Sequence, residues 1–210
     1  MPNPNNAVST ELDAVNQILS SVGQAPVTTL DMQNPEVYTA LQSLRDVSRE
    51  VQSEGWVFNS ENCVKFVRNT DDTITVPNDV LQITVNKDKH GDDYNIIKKD
   101  GKLYDKYHHR FDDREEFKFN KDIYCDVIYF YRFNNLPFAF QAHITAKAAR
   151  KVATRLVGDP ALVQVLAIDE EQTKNAMLEY ETRQGDYSIF GWKDNQNFYS
   201  SYQPFKALSR

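Results

Sequence analysis

Residues 34–58 read NPEVYTALQSLRDVSREVQSEGWVF, and the fold turns on where this run stops being helical. Asn34 can cap the start with its side chain, Pro35 fits the first helical position, and Glu36 suits the positive end of the helix dipole. Val37, Leu41, Leu44, Val47 and Val51 recur at helical spacing, so one face of the helix is apolar. Gly55 ends it. Beyond Trp56-Val57-Phe58 the period changes, and short runs rich in Val, Ile, Thr and Tyr replace the long stripe.

Towards the N-terminus, Leu12, Val15, Ile18, Leu19 and Val22 predict an earlier helix from about Thr10 to Val22. Ser9 or Thr10 can cap it, Gly23 sits at its end, and Gln24-Ala25-Pro26 turns the chain. Two helices with a short connection make a helical hairpin. On the other side, strands are predicted at Cys63–Val67, Thr73–Val76, Leu81–Val85, Tyr94–Lys98 and Lys102–Tyr104. Asp100-Gly101, set between Ile97 and Leu103, is a tight-hairpin signal. The strongest strand spans Ile123–Phe133. Both its faces are largely apolar, which places it centrally or under cover.

Helices return at Pro137. Phe140, Ile144, Ala148, Val152 and Leu156 mark one side, and Ala142, Ala146, Ala148, Ala149 and Ala153 would let a partner approach closely, including a neighbouring chain. Gly158 stops this helix. Asp159-Pro160 starts another that runs to about Arg183. The expected fold class is α+β: a four-helix bundle of two helical hairpins, an inserted small antiparallel β unit and an extended tail. The expected divisions are an N-terminal hairpin (1–58), a β domain (59–136), a C-terminal hairpin (137–184) and an aromatic docking tail (185–210).

That tail holds Tyr187, Phe190, Trp192, Phe198, Tyr199, Tyr202 and Phe205 without helical or strand period. Ordering it costs more backbone entropy than those rings return by burial, so it must dock on its own domain or on a partner. Rich in aromatics and poor in charge, it suits an interface better than a linker.

With 210 residues, 40% hydrophobic and 26% charged, the chain can bury a real core. Its net charge of −6 speaks against sequence-independent nucleic-acid binding, which needs a basic surface. It leaves DNA possible as a passing cargo. Cys63 and Cys125, far apart and outside any CxxC spacing, read as core thiols in a reducing compartment. Residues Met1 to Asn6 lack the pattern of a signal peptide, and no apolar stretch approaches the roughly 20 residues a membrane span needs. No membrane role is expected.

Chemistry is scarce. His108 and His109 sit among Asp105, Asp112 and Asp113, and His90 lies near Asp92 and Asp93. Adjacent histidines on a strand face opposite ways, so a solvated polar loop is the better reading than a metal site. Asp112-Asp113-Arg114-Glu115-Glu116 reads as a surface charge run, since acid/base work needs carboxylates held across a cleft with one buried. No nucleophile elbow, phosphate loop or dinucleotide fingerprint occurs. Neither a cofactor nor a catalytic residue is expected. His143, Lys147, Arg150, Lys151 and Arg155 form a basic stripe at helical spacing. It can contact nucleic acid or an acidic partner, but pairing with Asp169, Glu170 and Glu171 of the next helix, or across a subunit boundary, is favoured.

Several ordered segments resemble one family, the tail tubular protein A or head-to-tail adaptors of short-tailed bacteriophages. They are Glu11 to Gly23 with Ala25-Pro26-Val27 and Thr29-Leu30, then Glu54-Gly55-Trp56-Val57-Phe58-Asn59 and Pro77-Asn78-Asp79-Val80-Leu81. Leu103-Tyr104-Asp105 with Phe111 follows, and then Asn135-Leu136-Pro137 and Ala146-Lys147-Ala148-Ala149-Arg150. The likeness covers the chain to about Tyr187 and not the tail beyond.

The resemblance implies a structural virion protein, assembled in the host cytoplasm into a dodecameric ring. The ring would sit between the portal and the nozzle protein, tail tubular protein B, with the bundle towards the portal and the β unit towards the nozzle. Tail fibres would attach outside, and genome DNA would cross the central channel during ejection. The aromatic tail is expected to reach the portal or an adjacent subunit. Two rivals stand beside this. A virion-associated polysaccharide hydrolase would need two buried carboxylates in a deep cleft, and a DNA-binding module is opposed by the acidic balance.

Overall fold

Thr10 opens the first helix with a capping box: its side chain accepts from Asp13 N, and the Asp13 carboxylate accepts from Thr10 N. The helix, α1, runs Glu11–Ser21 and buries Ala14, Val15, Ile18 and Leu19. Asn34 caps α2, Pro35–Ser53, by accepting from Glu36 N and Val37 N. Those two bonds satisfy amides that the first turn leaves without helical partners. The computed structural model describes residues 10–91, 93–106 and 117–185.

The chain continues through β1 (Ser60–Phe66), β2 (Val80–Val85), a short α3 (Lys87–His90), β3 (Ile96–Lys99), β4 (Lys102–Asp105) and β5 (Ile123–Tyr129). A 3-10 turn over Phe133–Asn135 leads to α4, Phe138–Leu156, and α5, Pro160–Gly185. The architecture is α+β. In the main sheet β5 lies between β1 and β2, antiparallel to both. This is the central position that its two apolar faces demand. Strands β3 and β4 form a separate hairpin. Asp100 (φ 51°) and Gly101 (φ 71°) are both left-handed at its tip, as a type I′ turn requires.

Some expectations need correcting. Thr73–Val76 is not a strand; Thr75 makes one isolated bridge to Lys102, and Ile74 and Val76 are buried in the β core without a ladder. The long strand ends at Tyr129 rather than Phe133. There the backbone leaves the sheet to serve the helices. Leu156 is exposed: it is the final residue of α4 and, unlike Val152 and Ala153 just before it, is left uncovered by the other described residues. α3 was not legible: its four residues are too few for a period to show. The α4 alanines 148, 149 and 153 are buried within the chain. They let helices of the same chain approach and are not free for a neighbouring one.

Two cores result. One gathers Val15, Ile18, Leu41, Leu44, Phe140, Ile144 and Met177 from the helices. The other gathers Ile74, Leu103, Ile123, Cys125 and Val127 from the β unit. α1, α2 and α5 all pack against α4. Phe140 occupies the meeting point, its ring centroid 4.6 Å from Phe58, 5.2 Å from Trp56 and 6.2 Å from Tyr180.

The two cores are joined by a buried amide pair at the end of α2. Gln52 Nε2 donates to Ser48 Oγ and Tyr131 O, and its Oε1 accepts from Tyr131 N. Asn59 Nδ2 donates to Gln52 O and Tyr129 O, while its Oδ1 accepts from Trp56 N. Every polar atom of both amides is used, as burial demands. Gly55 makes the corner between them. Its φ is +79°, and a Cβ added there would lie 2.7 Å from Ile128 Cδ1.

Gly55→Ala therefore meets both left-handed strain and a clash, and should cost about 2 kcal/mol or more. Gly23→Ala, at a similar φ of +78° but in open space, should cost roughly 1 kcal/mol. Urea unfolding of the two variants should rank them in that order; equal losses would contradict the close packing at the corner.

Candidate assembly interface

The basic stripe of α4 is largely spoken for inside the chain. Lys147 Nζ lies 3.1 Å from Glu50 Oε1, and Lys151 Nζ lies 2.6 Å from Glu50 Oε2. These bonds, Lys151 first, hold the Glu50 carboxyl below its ordinary range. Arg150 pairs with Glu170 of α5, which raises the arginine further. Arg155 Nη1 donates to Ser43 Oγ at 3.3 Å. His143 is buried, and burial keeps its imidazole below the usual value, so it adds no cation at neutral pH. The structure thus brings Glu170 to the stripe as the sequence suggested. It does not bring Asp169 or Glu171, which are exposed and make no ion pair among the described residues. Glu50, the partner of two lysines, was missed because it lies on α2, remote in sequence.

Among the described residues reactive chemistry does not converge. Both cysteines are free thiols, and burial pushes Cys125 up to about 12, far from a nucleophile at neutral pH. His90 Nε2 accepts from Tyr124 N at 2.9 Å, with the ring between Tyr94 and Tyr124. Burial lowers its pKa. It is a sheet-edge packing group. Among the described residues no cluster of His, Cys, Asp or Glu could hold a metal ion, and no helix is long and apolar enough to cross a membrane. His108, His109, the run 112–116 and the aromatic segment from Tyr187 to Phe205 lie outside the described residues.

Two surfaces stand open instead. The first is the outer side of α5. Leu166, Met177 and Glu181 turn inwards, whereas Val165 and Ile168 are 57% and 56% exposed. At 3.6 residues per turn, Val165, Ile168, Asp169 and Gln172 share one face. The second is a cleft of about 440 Å³ between α1, α2 and residues 130–134, lined by Arg45, Arg49, Phe130, Arg132 and Phe133. Sequence reasoning found neither. The α5 face was hidden by a helix with apolar residues on more than one side, and the cleft by three separated segments.

The family model described as "Tail tubular protein" matches residues 12–187. The chain belongs to the tail tubular protein family. It is accordingly a structural protein of a phage tail, from a family of structural parts and not of enzymes. No curated protein matches it. The match ends close to where α5 does, so the family character resides in the bundle and the β unit.

In this tail tubular protein, Glu181 is the odd polar residue of α5. It is 8% exposed; Oε1 accepts from Val57 N at 2.7 Å, while Oε2 is buried without a partner among the described residues. Burial raises its pKa above the ordinary 4.5, against a smaller lowering by the Val57 bond. The folded state therefore holds this proton more tightly than the unfolded state. Its contribution to stability is complete below about pH 4.5 and declines as pH rises through the raised value. Glu181→Gln cannot ionise, so its stability relative to the wild type should improve from pH 4.5 upwards. Urea unfolding of both proteins across that range checks this, and parallel pH profiles would contradict it.

Proposed function

We propose that this tail tubular protein is a ring-forming adaptor joining the portal to the tail nozzle of a short-tailed phage, and that it catalyses no reaction. The observation that carries the proposal is the family match across residues 12–187. The physical features support it. Cations that could have held nucleic acid are bound to Glu50 and Glu170, and the surfaces left open suit protein contacts.

The chain assembles as a dodecamer. The four helices α1, α2, α4 and α5 act as one bundle facing the portal, and the β unit faces the nozzle protein, tail tubular protein B. Fibres attach outside. Genome DNA passes through the channel without being gripped, in keeping with the net charge of −6: a negatively charged lumen repels phosphates and keeps the duplex mobile. Subunit contacts draw on the ends of the α4 stripe and the α5 acids, Lys147, Arg150, Lys151, Arg155, Asp169, Glu170 and Glu171. The aromatic segment with Tyr187, Phe190, Trp192, Phe198, Tyr199, Tyr202 and Phe205 docks on the portal or an adjacent subunit. The site of action is the virion tail, after assembly in the host cytoplasm.

Removing the residues after Gly185 should leave both cores intact, because the described core residues all precede it and fill the helical and β layers by themselves. The shortened chain should keep its circular dichroism and unfolding midpoint yet fail to join portal-bearing head particles in a co-sedimentation assay. Undiminished joining would remove the docking role from that segment.

A further inference from the structure

The cleft and the outer face of α5 belong to different parts of the fold: the first is lined from α1, α2 and residues 130–134, and the second stands on the far helix of the other hairpin. We propose that they are the two halves of one contact, in which the cleft of one copy receives the α5 outer face of the next and Asp169 docks between Arg49 and Arg132. This rests on the ring assignment above and names a contact that would close the ring.

Charge complementarity is the first support. Arg45 is already engaged by Glu11 at 3.2 Å. Arg49 lies over the Phe130 ring, 6.0 Å from its centroid. Neither Arg49 nor Arg132 has a carboxylate partner among the described residues. Two unpaired guanidiniums beside a phenyl ring form a receptor for one carboxylate, since each fork can meet it with paired N–H donors. Asp169 is a carboxylate of the same chain, exposed and without an ion pair among the described residues.

The apolar parts match as well. Phe130, half-buried, is the apolar side chain that the cleft leaves open, Leu44 and Phe133 in its wall being covered by their own core, and Val165 and Ile168 flank Asp169 on its helix face. Among the described residues, Arg49, Arg132, Asp169, Val165 and Ile168 are left open. A contact between two unlike patches is heterologous, and repetition by rotation closes it into a ring. Duplex DNA is the poorer occupant. It would need a strip of free cations along its backbone, whereas this cleft offers two beside apolar side chains on an acidic protein.

The test is a charge-swap cycle on the full chain, read by native mass spectrometry and sedimentation velocity. Asp169→Arg and Arg132→Glu should each reduce assembly by about tenfold or more at equal concentration, and the two together should restore much of it. Both positions are exposed, so the fold should survive; the milder Asp169→Asn should weaken assembly without reversing charge. If both reversals assemble like the wild type, or the combination is no better than either alone, the contact is wrong while the ring stands. If the wild type stays single both alone and beside portal-bearing particles, the ring assignment fails instead. Binding of a short DNA duplex that Arg132→Glu abolishes would give the cleft to phosphate and overturn the proposal.

Discussion

Two buried amides, Gln52 and Asn59, hold the molecule to one shape. Each is fully enclosed, and between them they engage the end of α2, the start of β1 and the strand exit at Tyr129 and Tyr131. An amide in that position has no water to fall back on. Breaking one of its bonds leaves partners buried and unpaired, at roughly 1–3 kcal/mol each. The hydrophobic cores supply most of the folding free energy without fixing direction. The amides supply direction, because their bonds form at only one orientation of sheet against bundle. Trp56 and Phe58, from the same turn, then pack on Phe140 and bring α4 into register.

A structural part of a phage tail needs such rigidity more than it needs a reactive pocket. If the β unit could swing about Gly55, contacts made by the helices would not fix where the sheet lies in the assembly. The ion pairs act in the same direction. Glu50 ties α2 to α4 and Arg150 with Glu170 ties α4 to α5. Exposed pairs of this kind add little stability singly. Their larger effect is to cancel the positive charge of α4, leaving the acidic balance of the chain to face solvent.

Much of this was legible in the sequence for local reasons. Asn34-Pro35 and Thr10 place helix starts through side-chain bonds to nearby amides, and Asp100-Gly101 places a hairpin through two positive φ angles. The central position of β5 followed from its two apolar faces. What escaped depended on distant residues. Ile74 and Val76 look like a strand but are buried on a single bridge to the β3–β4 hairpin, with Val76 N donating to Gly101 O and Leu103 N donating to Ile74 O, too short a pairing to make a ladder. Leu156 continues the apolar stripe of α4 past the point where the described residues cover it. Glu50 meets Lys147 and Lys151 only once α2 and α4 lie side by side, and the arginine cleft draws on residues 45–49 and 132, which no local pattern connects. The family resemblance rested on segments such as Glu54 to Asn59, and in the folded chain that segment forms the corner between the two cores.

The central claim is that this chain works through its place in a repeating assembly. Averaged electron images of purified virions carrying a small density label on this protein test it most directly. The account predicts a collar of repeated label at the joint between head and tail, with one rotational symmetry throughout. A single label per particle, or label scattered away from that joint, would contradict it.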